Sequence, residues 1–108
     1  MTYSIEMTRQ AIDDLKSIFE YIAVELQSPQ AASTQFSRLE NRIMSLDIMP
    51  ERHRLYGKEP WKSRGLRIMP VDNYCVFYIA DNHSQTVSII RIMYAGRDYE
   101  TLFQEMSE

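Results

Sequence analysis

The sequence is poor in the residues that mark specialised protein classes. It has one cysteine, three glycines and four prolines in 108 residues, and it contains no internal repeat or low-complexity tract. Because Cys75 has no second cysteine beside it, the chain offers no internal disulfide and no cysteine pair for a metal. A basic and apolar leader is absent, and the apolar runs fall short of the roughly 18 residues that a membrane span requires. These absences predict a cytoplasmic protein outside the membrane, with Cys75 as a small core residue.

The chain also lacks a strong excess of either charge. Its formal net charge is −3, which argues against a protein that binds nucleic acid through its overall charge. Hydrophobic residues make up 44% of the chain and charged residues 25%, which excludes disordered and collagen-like proteins. With 108 residues and no linker-like stretch, the sequence predicts a single domain that spans residues 1–108.

Apolar spacing in the first part of the chain predicts a strand and two helices. Residues 2–7 alternate weakly and indicate a short strand. Thr8 can cap a first helix and Ser28 can cap a second. The apolar residues that form the two helical stripes are Ile12, Leu15, Ile18, Phe19, Ile22 and Leu26, then Phe36, Leu39, Ile43 and Leu46. The short connection predicts an antiparallel helical hairpin that ends near residues 49–50.

The rest of the chain has the pattern of a sheet. Residues 51–63 show no clear period and are predicted to form an exposed loop. Strands are then predicted at 66–71, 74–80 and 86–94, joined by short turns that make neighbouring strands antiparallel. Asp98 can cap a last amphipathic helix whose final residues fray. The order β-α-α-β-β-β-α predicts a two-layer α+β domain, an antiparallel sheet with the helical hairpin packed on one face.

Basic residues concentrate where the predicted strands begin and end. Strand ends lie at the rim of a sheet, so Arg67 and Arg97 are predicted to be held rigidly where an anionic partner can reach them. The segment 52–67 carries six basic residues, among them Lys62 and Arg64, with aromatic residues interleaved. Such a segment is typical of a surface that follows phosphates and stacks bases, and it is equally typical of a solvated loop.

Several short motifs, taken in this order, resemble one known family. They are Asp14-Leu15, Tyr21-Ile22-Ala23, Ala31-Ala32, Phe36, Leu39, Gly65-Leu66-Arg67, Pro70-Val71, Tyr74, Val76-Phe77-Tyr78 and the stretch 89–98. Together with the strand, helical hairpin, basic loop and meander, they resemble the RelE/ParE superfamily of toxins from type II toxin–antitoxin pairs. The resemblance covers nearly the whole chain and is closest to the ParE branch.

The resemblance implies a growth-inhibiting toxin, of the kind linked to plasmid stabilization, that a cognate antitoxin holds inactive. ParE-like proteins are taken to inhibit DNA gyrase. RelE-like proteins are taken to cut messenger RNA on the ribosome. No cofactor and no metal are expected, because the chain has no glycine-rich phosphate loop and no paired ligand spacing.

The residues needed for RNA cleavage distinguish the two branches. Attack by a 2′-hydroxyl requires a base, cationic groups for the phosphate and an acid for the leaving oxygen. The resemblance puts Arg97 at the arginine that RelE-like nucleases carry after the last strand. It puts Phe103 where they carry a tyrosine and Cys75 where they carry an arginine, and phenylalanine cannot transfer a proton. His53 as a base and Tyr99 are the available substitutes.

Three hypotheses remain open at this level. The leading one is a ParE-type inhibitor of gyrase, which needs no proton-transfer residue and would bind its target through Lys62, Arg64, Arg67 and Arg97. The second is a ribosome-dependent messenger RNA endoribonuclease with catalytic Arg97, Arg67, Tyr99 and His53. The third is a degenerate toxin that retains only antitoxin binding. In each case the antitoxin is expected to cover exposed apolar residues of the last helix, namely Leu102, Phe103 and Met106.

Overall fold

The computed structural model describes residues 2–106, and its elements follow the predicted order. They are β1 (Ser4–Met7), α1 (Arg9–Glu20), α2 (Pro29–Met44), β2 (Leu66–Val71), β3 (Tyr74–Asp81), β4 (Thr86–Tyr94) and α3 (Tyr99–Met106). A π-helical turn over Tyr21–Glu25 extends α1, and a 3-10 turn over Ser45–Asp47 follows α2. The α+β class is confirmed, whereas α2 ends before the predicted residues 49–50. The predicted fraying falls on residues 107–108, which lie outside the described residues.

The helix starts follow from local capping, as predicted. The Thr8 hydroxyl accepts a hydrogen bond from the Ala11 amide at 3.1 Å, and the Ser28 hydroxyl accepts one from the Ala31 amide at 3.4 Å. The Asp98 carboxylate accepts from Thr101 before α3 begins its second turn. Each cap satisfies an amide that the helix itself cannot, which is why these positions are readable in the sequence.

The sheet is mixed, with the strand order β1-β4-β3-β2. Strands β2, β3 and β4 form the predicted antiparallel meander. Strand β1 lies parallel to β4, with Ser4 beside Thr86 and Met7 beside Ile89. The prediction of an entirely antiparallel sheet was therefore wrong for β1. Its neighbour is not the next strand in the chain, so no short turn dictates their relative direction.

The helical hairpin covers one face of the sheet. Ala11, Leu39 and Leu46 pack there against buried residues of all three meander strands. Within α1 the stripe toward the sheet runs through Ala11, Leu15 and Ile18. Ile12, Phe19 and Leu26, which the apolar spacing assigned to this stripe, are exposed. The prediction was wrong for these three because apolar residues also occupy the flanks of the helix, where spacing alone cannot separate them from the buried row.

The opposite face is covered by α3 and by part of the segment predicted to be an exposed loop. Tyr56 and Trp61 from that segment are buried with Phe77 and Phe103 in a second apolar cluster. The Ile68 amide donates to the Arg54 carbonyl at 3.1 Å and the Tyr56 amide donates to the Leu66 carbonyl at 2.7 Å. Residues 54–56 thus pair with the outer edge of β2, which corrects the prediction of a wholly exposed loop.

A carboxylate from α1 completes the edge of β4 where β1 ends. Asp14 accepts hydrogen bonds from the Arg91 Nε atom at 2.7 Å, the Arg91 Nη2 atom at 2.9 Å and the Ile92 amide at 2.9 Å. The Thr8 hydroxyl donates to the Ile90 carbonyl at 2.8 Å just before it. The Asp14 and Arg91 side chains are only 13% and 14% exposed. This buried ion pair joins the first helix to the last strand.

We expect Asp14→Asn to lower the free energy of unfolding by about 3 kcal/mol, because it leaves the Arg91 guanidinium buried without a counter-charge. Asp13→Asn is the matched control: Asp13 pairs with Arg9 on the solvent side of the same helix. Its removal should change stability by about 0.5 kcal/mol or less. Urea unfolding followed by circular dichroism measures both, and equal effects at the two positions would contradict the structural role of Asp14.

Candidate functional site

A groove of about 590 Å³ lies where β4 passes into α3. Ile18, Ile92 and Met93 contribute apolar lining, and Arg97 stands at the C-terminal end of β4. The Arg97 side chain is exposed, and within residues 2–106 no hydrogen bond or ion pair engages its guanidinium. The neighbouring Asp98 carboxylate is occupied by Thr101. Arg97 is therefore exposed at the strand exit, and its contact with an anionic partner stays a prediction.

Three tyrosines line the same groove: Tyr21, Tyr74 and Tyr94. They come from the π-helical turn, the start of β3 and the end of β4, and the rings of Tyr74 and Tyr94 meet edge to face with their centroids 6.0 Å apart. Tyr21 and Tyr94 are 54% and 57% exposed. Burial, with smaller contributions from the other two phenols, raises the pKa of Tyr74, which stays uncharged at neutral pH.

Gly96 allows the Tyr94 ring to lie over the turn between β4 and α3. A Cβ atom at position 96 would come within 2.7 Å of the Tyr94 Cε2 atom, closer than such contacts occur. The absent side chain therefore sets where this ring sits in the groove. Sequence reasoning did not assign a role to Gly96 or to the three tyrosines; the signal for Tyr74 and Tyr94 is that each occupies a strand end.

Arg67 lies at the other end of the sheet and is already engaged. Arg67 on β2 is paired with Tyr78 on β3, whereas the groove begins at the end of β2, where Val71 faces Tyr74. Val71 is four positions further along the strand than Arg67, roughly 13 Å. The Arg67 guanidinium donates to the His53 carbonyl at 2.7 Å and pairs with Glu51 at 3.3 Å. The structure does not bring Arg67 and Arg97 together.

Lys62 and Arg64 accompany Arg67 rather than Arg97. Both are exposed on the turn that leads into β2. The Arg64 guanidinium carbon lies 4.8 Å from the centre of the Trp61 ring, a cation–π contact. The Trp61 indole donates to the Phe103 carbonyl at 2.8 Å, which fastens this basic turn to α3. The four predicted target-binding residues thus divide between two ends of the sheet.

The positions that matter for RNA cleavage lie in or against the second apolar cluster. Phe103 is 1% exposed, and its ring centre is 4.7 Å from that of Phe77, so the expectation that it is exposed was wrong. Tyr99 is half-buried, with its ring 5.1 Å from Phe77 and 6.2 Å from Tyr56. Cys75 is also half-buried rather than fully enclosed, and burial raises the pKa of its thiol.

His53 is poorly placed to accept a proton from a substrate. Its Nε2 atom is buried and, within the described residues, has no hydrogen-bond partner. Burial first, and then the charges of Arg52 and Arg42, lower the pKa of its imidazole. The ring meets Tyr78 edge to face at 6.2 Å, and burial raises the pKa of Tyr78 to about 12. His53 therefore belongs to the packing at the Arg67 end of the sheet.

The last helix is folded onto the sheet more closely than predicted. Leu102 and Met106 are half-buried, and the Met106 sulfur lies 3.7 Å from the Arg91 Nη1 atom. Leu102 and Met106 retain partial exposure, so contact with an antitoxin stays a prediction for them. Phe103 does not reach the surface on which such a contact was expected.

Within residues 2–106, no cluster of three or more histidine, cysteine, aspartate or glutamate side chains could hold a metal ion. The same part of the chain contains no helix that is long and apolar enough to cross a membrane. The groove and the basic turn are therefore the surfaces whose chemistry remains to be assigned.

A family model described as the ParE toxin of the type II toxin-antitoxin system, parDE, matches residues 5–99. The chain belongs to this ParE toxin family. It is thus a toxin of the type II class, and the match runs from β1 to Tyr99 at the start of α3. Among curated protein sequences, no significant match to this ParE-family chain is found.

Solved structures share the fold of this ParE-family toxin at low sequence identity. The chromosomal ParDE system from P. aeruginosa matches with a TM-score of 0.69 and 20% identity, covering 86% of this chain and 96% of that one. The RelBE2 toxin–antitoxin complex from Mycobacterium tuberculosis matches with a TM-score of 0.62 and 20% identity, covering 87% and 99%. A mutant of E. coli toxin RelE in the free state has a TM-score of 0.66 and 14% identity, covering 97% and 94%.

We expect stability to fall between pH 7.5 and pH 5.5 through His53. In the unfolded chain this histidine has its ordinary pKa of about 6.5, and the folded state lowers that pKa, so the unfolded state binds the proton first as the pH drops. The contribution of neutral His53 is present above about pH 6.5 and is lost below it. Urea midpoints at the two pH values measure the effect.

The control for this pH dependence is His83, which lies in the exposed turn between β3 and β4. His53→Asn should reduce the loss of stability on acidification, whereas His83→Asn should leave it unchanged. Identical pH profiles for the parent and His53→Asn would show that His53 is not the titrating group.

Proposed function

We propose that this ParE-family toxin arrests growth by binding DNA gyrase, without catalysis, and that a cognate antitoxin neutralises it. The antitoxin is supported by the structural relatives, whose titles name a ParDE toxin–antitoxin system and a RelBE2 toxin–antitoxin complex. Gyrase is supported by the resemblance to ParE-like proteins and by the family match over residues 5–99.

The observation that carries the non-catalytic part of the proposal is the dispersal of the candidate catalytic groups. A general base and a cationic group must lie within hydrogen-bond reach of one reacting centre. Arg67 is tied to Glu51 and His53 at the start of β2, while Arg97 stands beyond the end of β4. The Nε2 atom of His53 is buried. An inhibitor that works by occupying its target has no need of such an assembly.

The alternative is a ribosome-dependent endoribonuclease. It is favoured by one local feature, the proximity of Tyr99 to Arg97: the Tyr99 amide donates to the Arg97 carbonyl at 2.9 Å, so a phenol and an unpaired guanidinium start from adjacent backbone. In that case Arg97 would neutralise the phosphate and Tyr99 would supply the proton. A degenerate toxin that only binds its antitoxin is the third possibility, and it predicts no growth arrest at all.

For the antitoxin we propose a docking surface that includes Leu102 and Met106 on α3 and the adjoining edge of the sheet. Both side chains are partly exposed beside buried neighbours, the kind of surface that an amphipathic segment covers. Phe103 would contribute by holding α3 in place, because it lies in the second apolar cluster.

Arg97→Ala should abolish or strongly weaken growth arrest while the circular dichroism spectrum stays that of the parent, because the exposed guanidinium supports no internal contact. The test is induction in cells, with DNA replication and protein synthesis followed separately, and inhibition of supercoiling by purified gyrase. Arg9→Ala, which removes another exposed arginine, from α1, is the control and should remain toxic. A fully toxic Arg97→Ala variant would remove Arg97 from the target surface.

Phe103→Tyr should not create a ribonuclease. A restored catalytic acid would raise cleavage by on the order of a hundredfold. The side chain at position 103, however, points into the second apolar cluster. A tyrosine hydroxyl there would be buried away from RNA, and its burial would lower the stability of the fold. Cleavage of messenger RNA on programmed ribosomes, by the parent and by this variant, is the measurement. Codon-positioned cleavage by the parent that disappears in Tyr99→Phe would instead establish the enzymatic alternative.

A further inference from the structure

We infer that the groove at Arg97 binds an extended segment of the target protein that places one carboxylate on Arg97 and an apolar side chain among the three tyrosines. The inference rests on the proposed function, because it concerns how the toxin holds its target. It assigns a partner chemistry to a surface formed by the π-helical turn, the start of β3 and the junction of β4 with α3.

Arg97 can form a new charge-assisted ion pair without breaking an existing one. Its guanidinium is exposed and unpaired within the described residues, in contrast to Arg91, which Asp14 holds, and Arg67, which Glu51 and His53 hold. A guanidinium presents a planar fork that matches the two oxygens of a carboxylate. Arg97 also follows directly from β4, so its backbone is anchored by the sheet.

The three tyrosines suit contact with a polypeptide. Tyr21 and Tyr94 are more than half exposed, and within residues 2–106 the hydroxyls of Tyr21, Tyr74 and Tyr94 have no hydrogen-bond partner. Their rings offer apolar area, and their hydroxyls can bond to the backbone of an extended segment. Tyrosine and arginine are also the residues that most often dominate the energy of protein interfaces.

The groove is large enough for side chains of a partner, and apolar residues line part of it. At about 590 Å³ it falls within the range of sites that enclose a drug-sized ligand, roughly two or three side chains of a partner. Ile18, Ile92 and Met93 line it together with the aromatic rings, so an apolar side chain would be removed from water there. The charged lining residues are Asp14, which is paired with Arg91, and Arg97, so the groove offers apolar and aromatic lining beside one unpaired cation.

The local charges favour a protein segment with a single carboxylate over a nucleic acid. Asp98 and Glu100 follow Arg97 directly, and hydrogen bonds from Thr101 lower the pKa of Asp98, so it is ionised at neutral pH. A nucleic acid carries a charge on every phosphate and would meet these carboxylates, whereas a peptide can present one carboxylate to Arg97 alone. Lys62 and Arg64, the other two exposed cations among the predicted target-binding residues, lie at the far end of the sheet.

Gly96 provides a variant that moves a groove residue without removing it. Gly96→Ala would put a Cβ atom 2.7 Å from the Tyr94 ring, and this exposed ring can swing aside without disturbing the core. If the ring position matters to the partner, Gly96→Ala should weaken binding in the parent and have no further effect in Tyr94→Ala. Such non-additivity is the mark of two changes that act through one contact.

The experiment measures binding to purified gyrase holoenzyme, inhibition of its supercoiling activity, and growth arrest in cells. The parent is compared with Tyr94→Ala, Gly96→Ala, Arg97→Lys and Arg97→Glu. We expect Tyr94→Ala to weaken binding at least about tenfold, Arg97→Lys to retain part of it and Arg97→Glu to abolish it. Arg64→Ala, at the other end of the sheet, is the control and should weaken gyrase binding less than the groove variants do. Unchanged circular dichroism establishes that each variant folds.

The outcomes test the role of the groove and the identity of the target separately. If the parent arrests growth but leaves gyrase unaffected, the proposed target is wrong, and growth arrest of the same variants still tests the groove. If every groove variant matches the parent in growth arrest and in gyrase binding, the inference is overturned. It is also overturned if a single-stranded 20-nucleotide RNA binds the parent and is released by Arg97→Ala or Tyr94→Ala, because the groove would then accept nucleic acid.

Discussion

The carboxylate of Asp14 is the contact on which the arrangement of this toxin depends. Strand β1 covers the edge of β4 only as far as Ile89, so the remaining edge needs another partner for its backbone. Asp14 supplies it by accepting from the Ile92 amide, and it neutralises Arg91 in the same contact. Because both charges are almost enclosed, they stabilise the fold only in this geometry. The contact holds α1, and with it the helical hairpin, at a defined position beside the last strand.

The groove at Arg97 and the basic turn at Lys62 and Arg64 lie at opposite ends of the sheet. Arg91 also approaches Met106, so the strand that Asp14 anchors helps to seat α3 on the second face. The indole of Trp61 donates to the carbonyl of Phe103 and fastens the basic turn to the same helix. Helix α3 therefore contacts the basic turn through Phe103 and contacts β4 through Met106.

The separation of the cations is the reason that we propose an inhibitor rather than a nuclease. A nuclease concentrates its cationic and proton-transfer groups around one phosphate, whereas here Arg67 serves the packing around His53 and Arg97 opens onto tyrosines. An interface can use widely spaced contacts, since each needs only to meet its own counterpart on the partner.

The elements with local causes can be predicted from the sequence: the caps at Thr8 and Ser28, and the meander strands, whose turns and apolar runs stand next to each other in the chain. The position of Arg97 directly after a strand can be predicted in the same way. The parallel pairing of β1 with β4, the burial of Phe103 and the meeting of Tyr21 with the two strand-end tyrosines in one groove emerge only from tertiary contacts. These features depend on contacts between residues far apart in the chain, and neither periodicity nor capping carries information about such contacts.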